Sequence, residues 1–182
     1  VATLFDYSQT ELDQAKEEFG DRIRTVQGDI YHTPFKDDEF SALLMVRATH
    51  HFADLPAVIK ELHRILEPGG VAVIEVANKR TLPKMFRYWF KKSKVNPFDK
   101  KPSNLKNIDK DGFYNYHPAY VEDLFRKSGF EIDNILSVSN FRSQTMKKIF
   151  KTKALVALEK KLQKPLASLR FAPSIYYRLI KK

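Results

Sequence analysis

Residues 24–76 read RTVQGDIYHTPFKDDEFSALLMVRATHHFADLPAVIKELHRILEPGGVAVIEV, and this stretch decides the fold. Continuous apolar runs at 40–46 and 71–77 are typical of buried parallel strands. Between them lies a segment of helical periodicity, and its apolar side chains share one face: Leu55, Val58, Leu62, Ile65 and Leu66. Asp54 is placed to cap this helix, and Pro68-Gly69-Gly70 predicts a tight turn into the second strand. Strand–helix alternation with short links predicts an α/β domain with a parallel sheet.

The residues before this stretch repeat the same alternation. A short apolar strand is predicted at 1–5 and another at 23–27. The helix between them has Ser8 as a predicted N-cap, with Glu11 three residues later completing a capping box. Gly20 follows the last apolar position, Phe19, and predicts the end of this helix.

The residues after 77 have a different, more basic character. Here the pattern predicts a helix at 84–92, a loop at 94–111 and a helix at 117–127 that is begun by Pro118. A strand at 130–138 follows. The last elements are a basic amphipathic helix at 147–162, with Leu155, Leu158 and Leu162 on its apolar face, and a strand at 174–180. We therefore predict one domain over 1–182, with basic insertions at about 79–112 and 141–172.

Charge is distributed unevenly along the chain. Residues 1–78 contain 7 basic and 14 acidic side chains, a net charge of −7, whereas residues 79–182 contain 25 and 8, a net charge of +17. A basic half favours phosphates, nucleic acid or acidic lipid, although a merely solvated basic surface explains it equally well. The 182 residues contain no cysteine and no apolar run of about 20 residues, which excludes disulfides, thiol nucleophiles and cysteine metal sites and fits a cytoplasmic protein. We predict no metal site.

Polar side chains follow three of the predicted strands. Asp6 ends the first, Asp29 ends the second, and the run 47–51 ends the third. In open α/β sheets, ligands bind outside the carboxyl ends of the strands. An ionised carboxylate there accepts hydrogen bonds from a ribose diol or an exocyclic amine, but it can also simply cap the following turn.

Five segments in order carry a family resemblance: FDYSQTELDQAK, QGDIYHTPFKDDEF, RATHHFADLPAVIKELHRILEPGGVAVIEV, GFYNYHPAYVEDLFRKSGFEI and FAPSIYYRLIKK. Together they resemble class I S-adenosylmethionine-dependent methyltransferases of the small-molecule type, a group that includes quinone C-methyltransferases. The resemblance is weak over 79–111 and 139–170. It implies a Rossmann-like fold, with a mostly parallel sheet, helices on both faces and a last antiparallel strand.

The resemblance also implies a cofactor, S-adenosyl-L-methionine, and residues that hold it. Asp6 matches the acid that binds the ribose hydroxyls, with Tyr7 beside the adenine, and Asp29 and Ile30 match the adenine contacts. Val46 and Arg47 match positions near the methionine part of the cofactor. The family's glycine-rich loop lies roughly 20 residues before the strand-end acid, whereas this chain begins five residues before Asp6. We therefore expect the central first strand and this loop to be missing from the sequence, which would impair cofactor binding and leave the sheet incompletely buried. Ser41 also departs from the family's usual Asp.

Methyl transfer needs a general base only when the nucleophile must lose a proton. Candidates at the predicted site are His50, His51, Tyr114, Tyr116 and His117, although ordinary structural packing is an alternative role for each. The expected activity is methyl transfer (EC 2.1.1.-) to a small molecule, which is expected to be apolar or lipid-like.

Three further questions stay open. The basic aromatic segment 84–92 suits a lid over the substrate, a peripheral membrane contact, or a plain helix on the sheet. The second functional hypothesis is a non-catalytic module of the same fold that binds acidic membrane or RNA through residues 79–182, although no nucleic-acid-binding motif is present. Another dinucleotide fold, such as a dehydrogenase, would need a glycine fingerprint that this sequence lacks.

Overall fold

The computed structural model describes residues 1–104, 113–141 and 148–182. Within them the elements are, in order, β1 (Ala2–Asp6), α1 (Gln9–Phe19), β2 (Ile23–Gln27), β3 (Phe40–Met45), α2 (Leu55–Ile65), β4 (Leu66–Ala77), α3 (Leu82–Trp89), β5 (Ser103–Asn104), β6 (Tyr114–Asn115), α4 (Pro118–Lys127), β7 (Phe130–Val138), α5 (Thr152–Ala167) and β8 (Ser174–Lys181). Two short 3-10 turns, Gly20–Arg22 and Thr49–His51, complete the set. The predicted α/β class is confirmed.

The strands of the candidate site form two separate parallel pairs. β1 pairs with β2, and β3 pairs with β4, each in parallel register. β4 continues into a four-stranded sheet of order β3-β4-β8-β7, in which β8 is antiparallel to both neighbours. The predicted antiparallel last strand is thus confirmed, and it makes the larger sheet mixed.

β3 departs from its prediction as a central strand buried on both faces. In the described residues it pairs only with β4, and β1 pairs only with β2, so the two sheets share no backbone ladder. Leu44 of β3 is consequently 73% exposed, although the sequence of β3 is as apolar as that of an interior strand.

The main core lies between the larger sheet and helices α2 and α4. It is formed by apolar side chains that are at most 5% exposed, including Val58, Ile59, Leu62, Leu66, Ile74, Val121, Phe125, Ile175, Tyr177 and Leu179. Helix α5 packs against β7. Burying so many large apolar groups is the dominant favourable contribution to folding, so this layer fixes the frame that holds the site.

Most predicted helix boundaries agree with the structure. The Ser8 hydroxyl accepts a hydrogen bond from the Glu11 amide, and Gly20 ends α1 with φ of +59°. The Asp54 carboxylate accepts from the Ala57 amide at the start of α2. The predicted tight turn at 68–70 is instead an irregular stretch of β4, where the pairing with β3 jumps from Phe40↔Leu66 to Ala42↔Val71.

The basic half departs further from its predictions. Helix α3 starts two residues before the predicted 84–92, and α5 is displaced toward the C-terminus of the predicted 147–162. Leu158 is 39% exposed, so its assignment to the apolar face is wrong, whereas Leu155 is buried. Lys147 and residues 105–111 of the predicted loop lie outside the described residues.

Candidate functional site

The carboxyl ends of both parallel strand pairs lie on the same side of the molecule. The loop after β2 contacts the segment after β3, because the Tyr31 hydroxyl accepts a hydrogen bond from the Asp54 amide and its ring meets Phe52 edge-on at 6.2 Å. Phe35, in the same loop, packs between the two sheets. The centre of its ring lies 5.4 Å from that of Phe5 in β1 and 4.8 Å from that of Phe40 in β3. These aromatic contacts hold the two sheets together without a shared ladder.

Asp6 and Asp29 are neighbours at the end of the β1–β2 pair. Asp6 is in register with Gln27, and its carbonyl accepts from the Gly28 amide at 3.1 Å. Each aspartate uses one carboxylate oxygen to accept from a backbone amide two residues later: Ser8 at 2.8 Å and Tyr31 at 2.9 Å. No other hydrogen bond to either carboxylate occurs in the described part of the chain. Both side chains are exposed, so the second oxygen of each faces solvent and is available to a ligand.

The remaining predicted cofactor contacts surround this edge. Tyr7 is exposed, its carbonyl accepting from the Gln27 side chain, and Ile30 is half-buried against the core. Val46 is exposed at the end of β3, and the Arg47 amide donates to a Glu75 carboxylate oxygen at 2.8 Å. Arg47 has φ of +58°, a conformation that non-glycine residues adopt rarely and mostly where the surroundings enforce it.

The histidine pair lies on the 3-10 turn that follows β3. Thr49 anchors this turn, because its buried hydroxyl donates to the Glu75 carbonyl of β4 at 2.9 Å. The His50 ring is 4.0 Å from the His51 ring and stacks on Phe113 at 4.4 Å. Segments after β3 and before α4 therefore meet at His50, while His51 is exposed to solvent.

Tyr116 and His117 are buried where β4 ends. The Tyr116 amide donates to the Ala77 carbonyl, and its hydroxyl donates to the Phe52 carbonyl at 2.5 Å. Burial raises the pKa of Tyr116 far above its ordinary range, and the hydrogen bond from its hydroxyl tethers the segment before α4 to the loop after β3. His117 caps α4, its Nδ1 accepting from the Ala119 amide, and burial lowers its pKa. Tyr114 is half-buried and stacked near Tyr116 at 6.5 Å.

Sequence reasoning missed the polar cluster at the end of β4. Two lysines here bind oxygens other than carboxylates: Lys84 Nζ donates to the Asn78 carbonyl and to Asn115 Oδ1, and Lys79 Nζ donates to the Asp99 and Lys101 carbonyls. Burial, with the nearby Lys79 charge, lowers the pKa of Lys84 to about 8. The rule that identified the first three strand ends would also have identified Asn78 and Lys79, since β4 ends at Ala77.

Two concavities border these elements. A 240 Å³ cavity is lined by Arg47, Glu75 and Tyr176 together with residues of β7 and β8, and it adjoins the end of β3. A larger one of 530 Å³ lies along α2 and is also lined by Tyr31 of the loop after β2. Its side chains include Glu61 and Arg64, which form an ion pair at 2.7 Å that lowers the pKa of Glu61 to about 2. The carboxylate of Glu61 is thus already engaged by Arg64.

Within residues 1–104, 113–141 and 148–182, no group of three histidine, cysteine, aspartate or glutamate side chains is placed to hold a metal ion. The same residues include no helix that combines enough length with enough apolarity to cross a bilayer.

Comparison with known proteins finds methyltransferases that are similar to parts of the chain. Residues 1–74 match the family model described as a methyltransferase domain. A sterol 24-C-methyltransferase of Gibberella zeae is 41% identical over 56 residues, which cover 31% of this chain and 15% of that protein. A demethylmenaquinone methyltransferase of Staphylococcus aureus is 30% identical over 94 residues, which cover 49% of this chain and 39% of that protein. The matched regions therefore span well under half of these relatives.

Solved structures resemble the chain over nearly its whole length. An S-adenosylmethionine-dependent methyltransferase from Mesorhizobium loti superposes with a TM-score of 0.66 at 15% identity, covering 98% of this chain and 79% of that one. The 1,6-didemethyltoxoflavin-N1-methyltransferase of Burkholderia thailandensis, solved with bound 1,6-didemethyltoxoflavin and S-adenosylhomocysteine, superposes with a TM-score of 0.61 at 14% identity, covering 99% of this chain and 60% of that one. Residues 1–74 thus match a methyltransferase domain, and the chain shares the fold of these S-adenosylmethionine-dependent methyltransferases.

Proposed function

We propose that the protein transfers a methyl group from S-adenosylmethionine to a small apolar or lipid-like substrate. The observation that carries this proposal is the pair Asp6 and Asp29, each with one carboxylate oxygen directed to solvent at adjoining strand ends. Support for an apolar substrate comes from the relatives, two of which are named for a sterol and for demethylmenaquinone. The cytoplasmic location expected from the cysteine-free sequence stays part of this proposal.

The proposed cofactor contacts follow from hydrogen-bonding chemistry. The free oxygen of Asp6 accepts from the ribose hydroxyls and that of Asp29 accepts from the adenine amine, because an ionised carboxylate is an acceptor only. Tyr7 and Ile30 flank the adenine, and Val46 and Arg47 lie toward the methionine part. These two aspartates are already oriented by their backbone bonds, which reduces the ordering cost of binding.

When bound, S-adenosylmethionine supplies a sulfonium-activated methyl group that an electron-rich substrate atom takes in one in-line displacement. The protein's task is then mainly orientation and exclusion of water. Phe52, Phe113 and Tyr114 supply apolar surface beside the histidine turn. A proton released by the substrate is accepted by His50, His51, His117 or Lys84, whose pKa near 8 leaves part of its amine neutral at physiological pH.

The test is calorimetric titration with S-adenosylhomocysteine. Asp6→Ala and Asp29→Ala should each weaken binding by roughly 1.5–3 kcal/mol, since each removes a charge-assisted hydrogen bond. Asp6→Asn is a useful companion, because its amide oxygen still accepts from the Ser8 amide while the charge is lost. Asp21→Ala is the matched control: it is an exposed aspartate at the opposite end of β2 and should leave the affinity unchanged. If the protein itself shows no binding, the proposal fails.

The second candidate is a non-catalytic module that binds acidic membrane or RNA. The observation in its favour is the net charge of +17 over residues 79–182. This candidate function requires strong, salt-sensitive co-sedimentation with acidic vesicles or RNA, together with no binding of S-adenosylhomocysteine and no methyl transfer. Detectable cofactor binding would exclude it as the whole function.

A further inference from the structure

Helix α3 has two faces of opposite character. Its inner face meets the end of β4, where Met85 is buried and Lys84 bonds to Asn78 and Asn115. Its outer face and its C-cap residue Phe90 carry four large apolar side chains that are 47% to 69% exposed: Leu82, Phe86, Trp89 and Phe90. At 100° per residue these four fall within an arc of about 100°, so they form one stripe.

The stripe continues onto the following loop. The Phe86 ring meets Trp89 edge-on at 5.8 Å, and Trp89 stacks with Phe98 at 6.4 Å. Phe98 is itself 40% exposed. We name these five residues the aromatic face: Leu82, Phe86, Trp89, Phe90 and Phe98. A contiguous apolar surface of this kind indicates a docking site, because single exposed apolar residues are ordinary but clustered ones are not.

Positive side chains dominate the sequence around the aromatic face, and Asp99 is the first acidic residue after it. Residues 79–98 contain seven lysines and arginines and no aspartate or glutamate. Arg87, Lys91, Lys92 and Lys94 are exposed around it. Lysine is depleted from the cores of protein–protein interfaces, whereas Trp and Phe ringed by Lys and Arg suit the headgroup boundary of an anionic bilayer.

We propose that the aromatic face docks the protein on an anionic lipid membrane, with Phe86, Trp89 and Phe90 inserted at the headgroup boundary. Helix α3 starts five residues after β4 ends, and its inner face touches the polar cluster of the candidate site. Docking therefore brings the strand ends close to the lipid phase. This consequence deepens the proposed function, on which it rests, by naming the membrane as the source of the substrate.

Trp89 is the chain's single tryptophan, so its fluorescence reports on this face alone. Vesicles of about three parts phosphatidylcholine to one part phosphatidylserine should shift its emission to shorter wavelength, and vesicles of phosphatidylcholine alone should shift it much less. An unchanged emission with both would overturn the proposal. A shift that follows protein concentration without vesicles would assign the face to a second copy, and a shift with RNA only would assign it to nucleic acid.

Two pairs of variants locate the binding. In vesicle co-sedimentation, Trp89→Ser/Phe90→Ser should weaken binding at least about tenfold, whereas Val156→Ser/Leu158→Ser, which removes exposed apolar residues from α5, should not. Lys91→Ala/Lys92→Ala/Lys94→Ala should weaken it by about fivefold per lysine, and Lys160→Ala/Lys161→Ala/Lys164→Ala far less. Equal losses in both members of a pair would mean diffuse attraction and would contradict docking at α3.

Titration of the same samples with S-adenosylhomocysteine separates the two proposals. Vesicle binding that is lost in the α3 variants with cofactor affinity intact supports the docking surface. Vesicle binding by a protein that binds no S-adenosylhomocysteine leaves the docking surface in place and refutes only the proposed function. Cofactor binding without any vesicle binding refutes only the docking surface.

Discussion

The two sheets of this protein carry the two halves of the candidate site, yet they differ sharply in burial. Among the described residues, the unit β1–α1–β2 has one fully buried apolar side chain, Leu12, whereas the four-stranded sheet and its helices bury most of the core. Asp6 and Asp29 belong to the first unit, and the histidine turn and the α4 cap belong to the second. The difference teaches that local structure positions the proposed cofactor-binding aspartates, whereas a deep core positions the histidines proposed to act in methyl transfer.

The largest expected effect breaks the deep core. Phe125 is fully buried on α4 and its ring lies 5.3 Å from that of Tyr177, so Phe125→Ala should lower the free energy of unfolding by about 3–5 kcal/mol. Leu12→Ala should cost about 2 kcal/mol, because the shallow unit around it can collapse into the space. Urea denaturation measures both changes. A larger loss for Leu12 than for Phe125 would reverse the comparison.

The next effect tests a buried charge beside the larger sheet. Lys84 has a pKa of about 8, below its ordinary 10.5, so its protonated form is disfavoured in the folded state. That penalty is complete below pH 8 and disappears as the pH rises toward 10.5, because the unfolded chain then binds the extra proton. The protein should therefore gain about 2 kcal/mol of stability from this group between pH 7 and 10.

The variant Lys84→Met isolates that contribution. It should remove most of the pH-dependent gain, leaving the rest of the profile as in the unaltered protein. Chemical denaturation at intervals from pH 7 to 10 measures it. If the free energy of unfolding changed with pH equally in the two proteins, burial would not perturb the pKa of Lys84.

The smallest effect compares two glycines that end helices in the two regions. Gly129 has φ of +89°, and an added Cβ would lie 2.7 Å from His63 Nε2. Gly129→Ala should thus cost about 2 kcal/mol, through both the backbone conformation and the clash. Gly20 has φ of +59° with no atom within 4 Å of an added Cβ, so Gly20→Ala should cost about 1 kcal/mol. Thermal unfolding of both variants measures the two losses of stability. Equal losses would show that the contact with His63 adds nothing to the cost at Gly129.

Local signals in the sequence predicted local structure well. The Ser8 cap, the glycine that ends α1 and the bounds of β2 and β7 agree with the structure, because each depends on residues adjacent in the chain. Errors arose where a distant partner decides the outcome. The apolar run of β3 resembles an interior strand but lies at an edge, and Leu158 fits a helical stripe but faces solvent.

The candidate site shows the same division. Strand-end reasoning selected Asp6, Asp29 and the histidine turn, and the structure places these on one side of the molecule through the Tyr31–Asp54 contact. It did not select Lys79 or Lys84, because their place beside Asn115 requires the 113–117 segment to return to the end of β4. Nor does sequence show that the Tyr116 hydroxyl is already engaged by the Phe52 carbonyl.

The sequence by itself determined the α/β class, the family resemblance and the acidic residues at the strand ends, because periodicity, caps and strand-end chemistry are properties of short segments. Only the tertiary structure decided that the sheet is divided in two, that two lysines share a buried polar cluster, and that α3 turns its aromatic side outward. These outcomes depend on which strands pair and which helix faces pack against another element. The pairing of distant elements, unlike the formation of each element, is set by long-range packing.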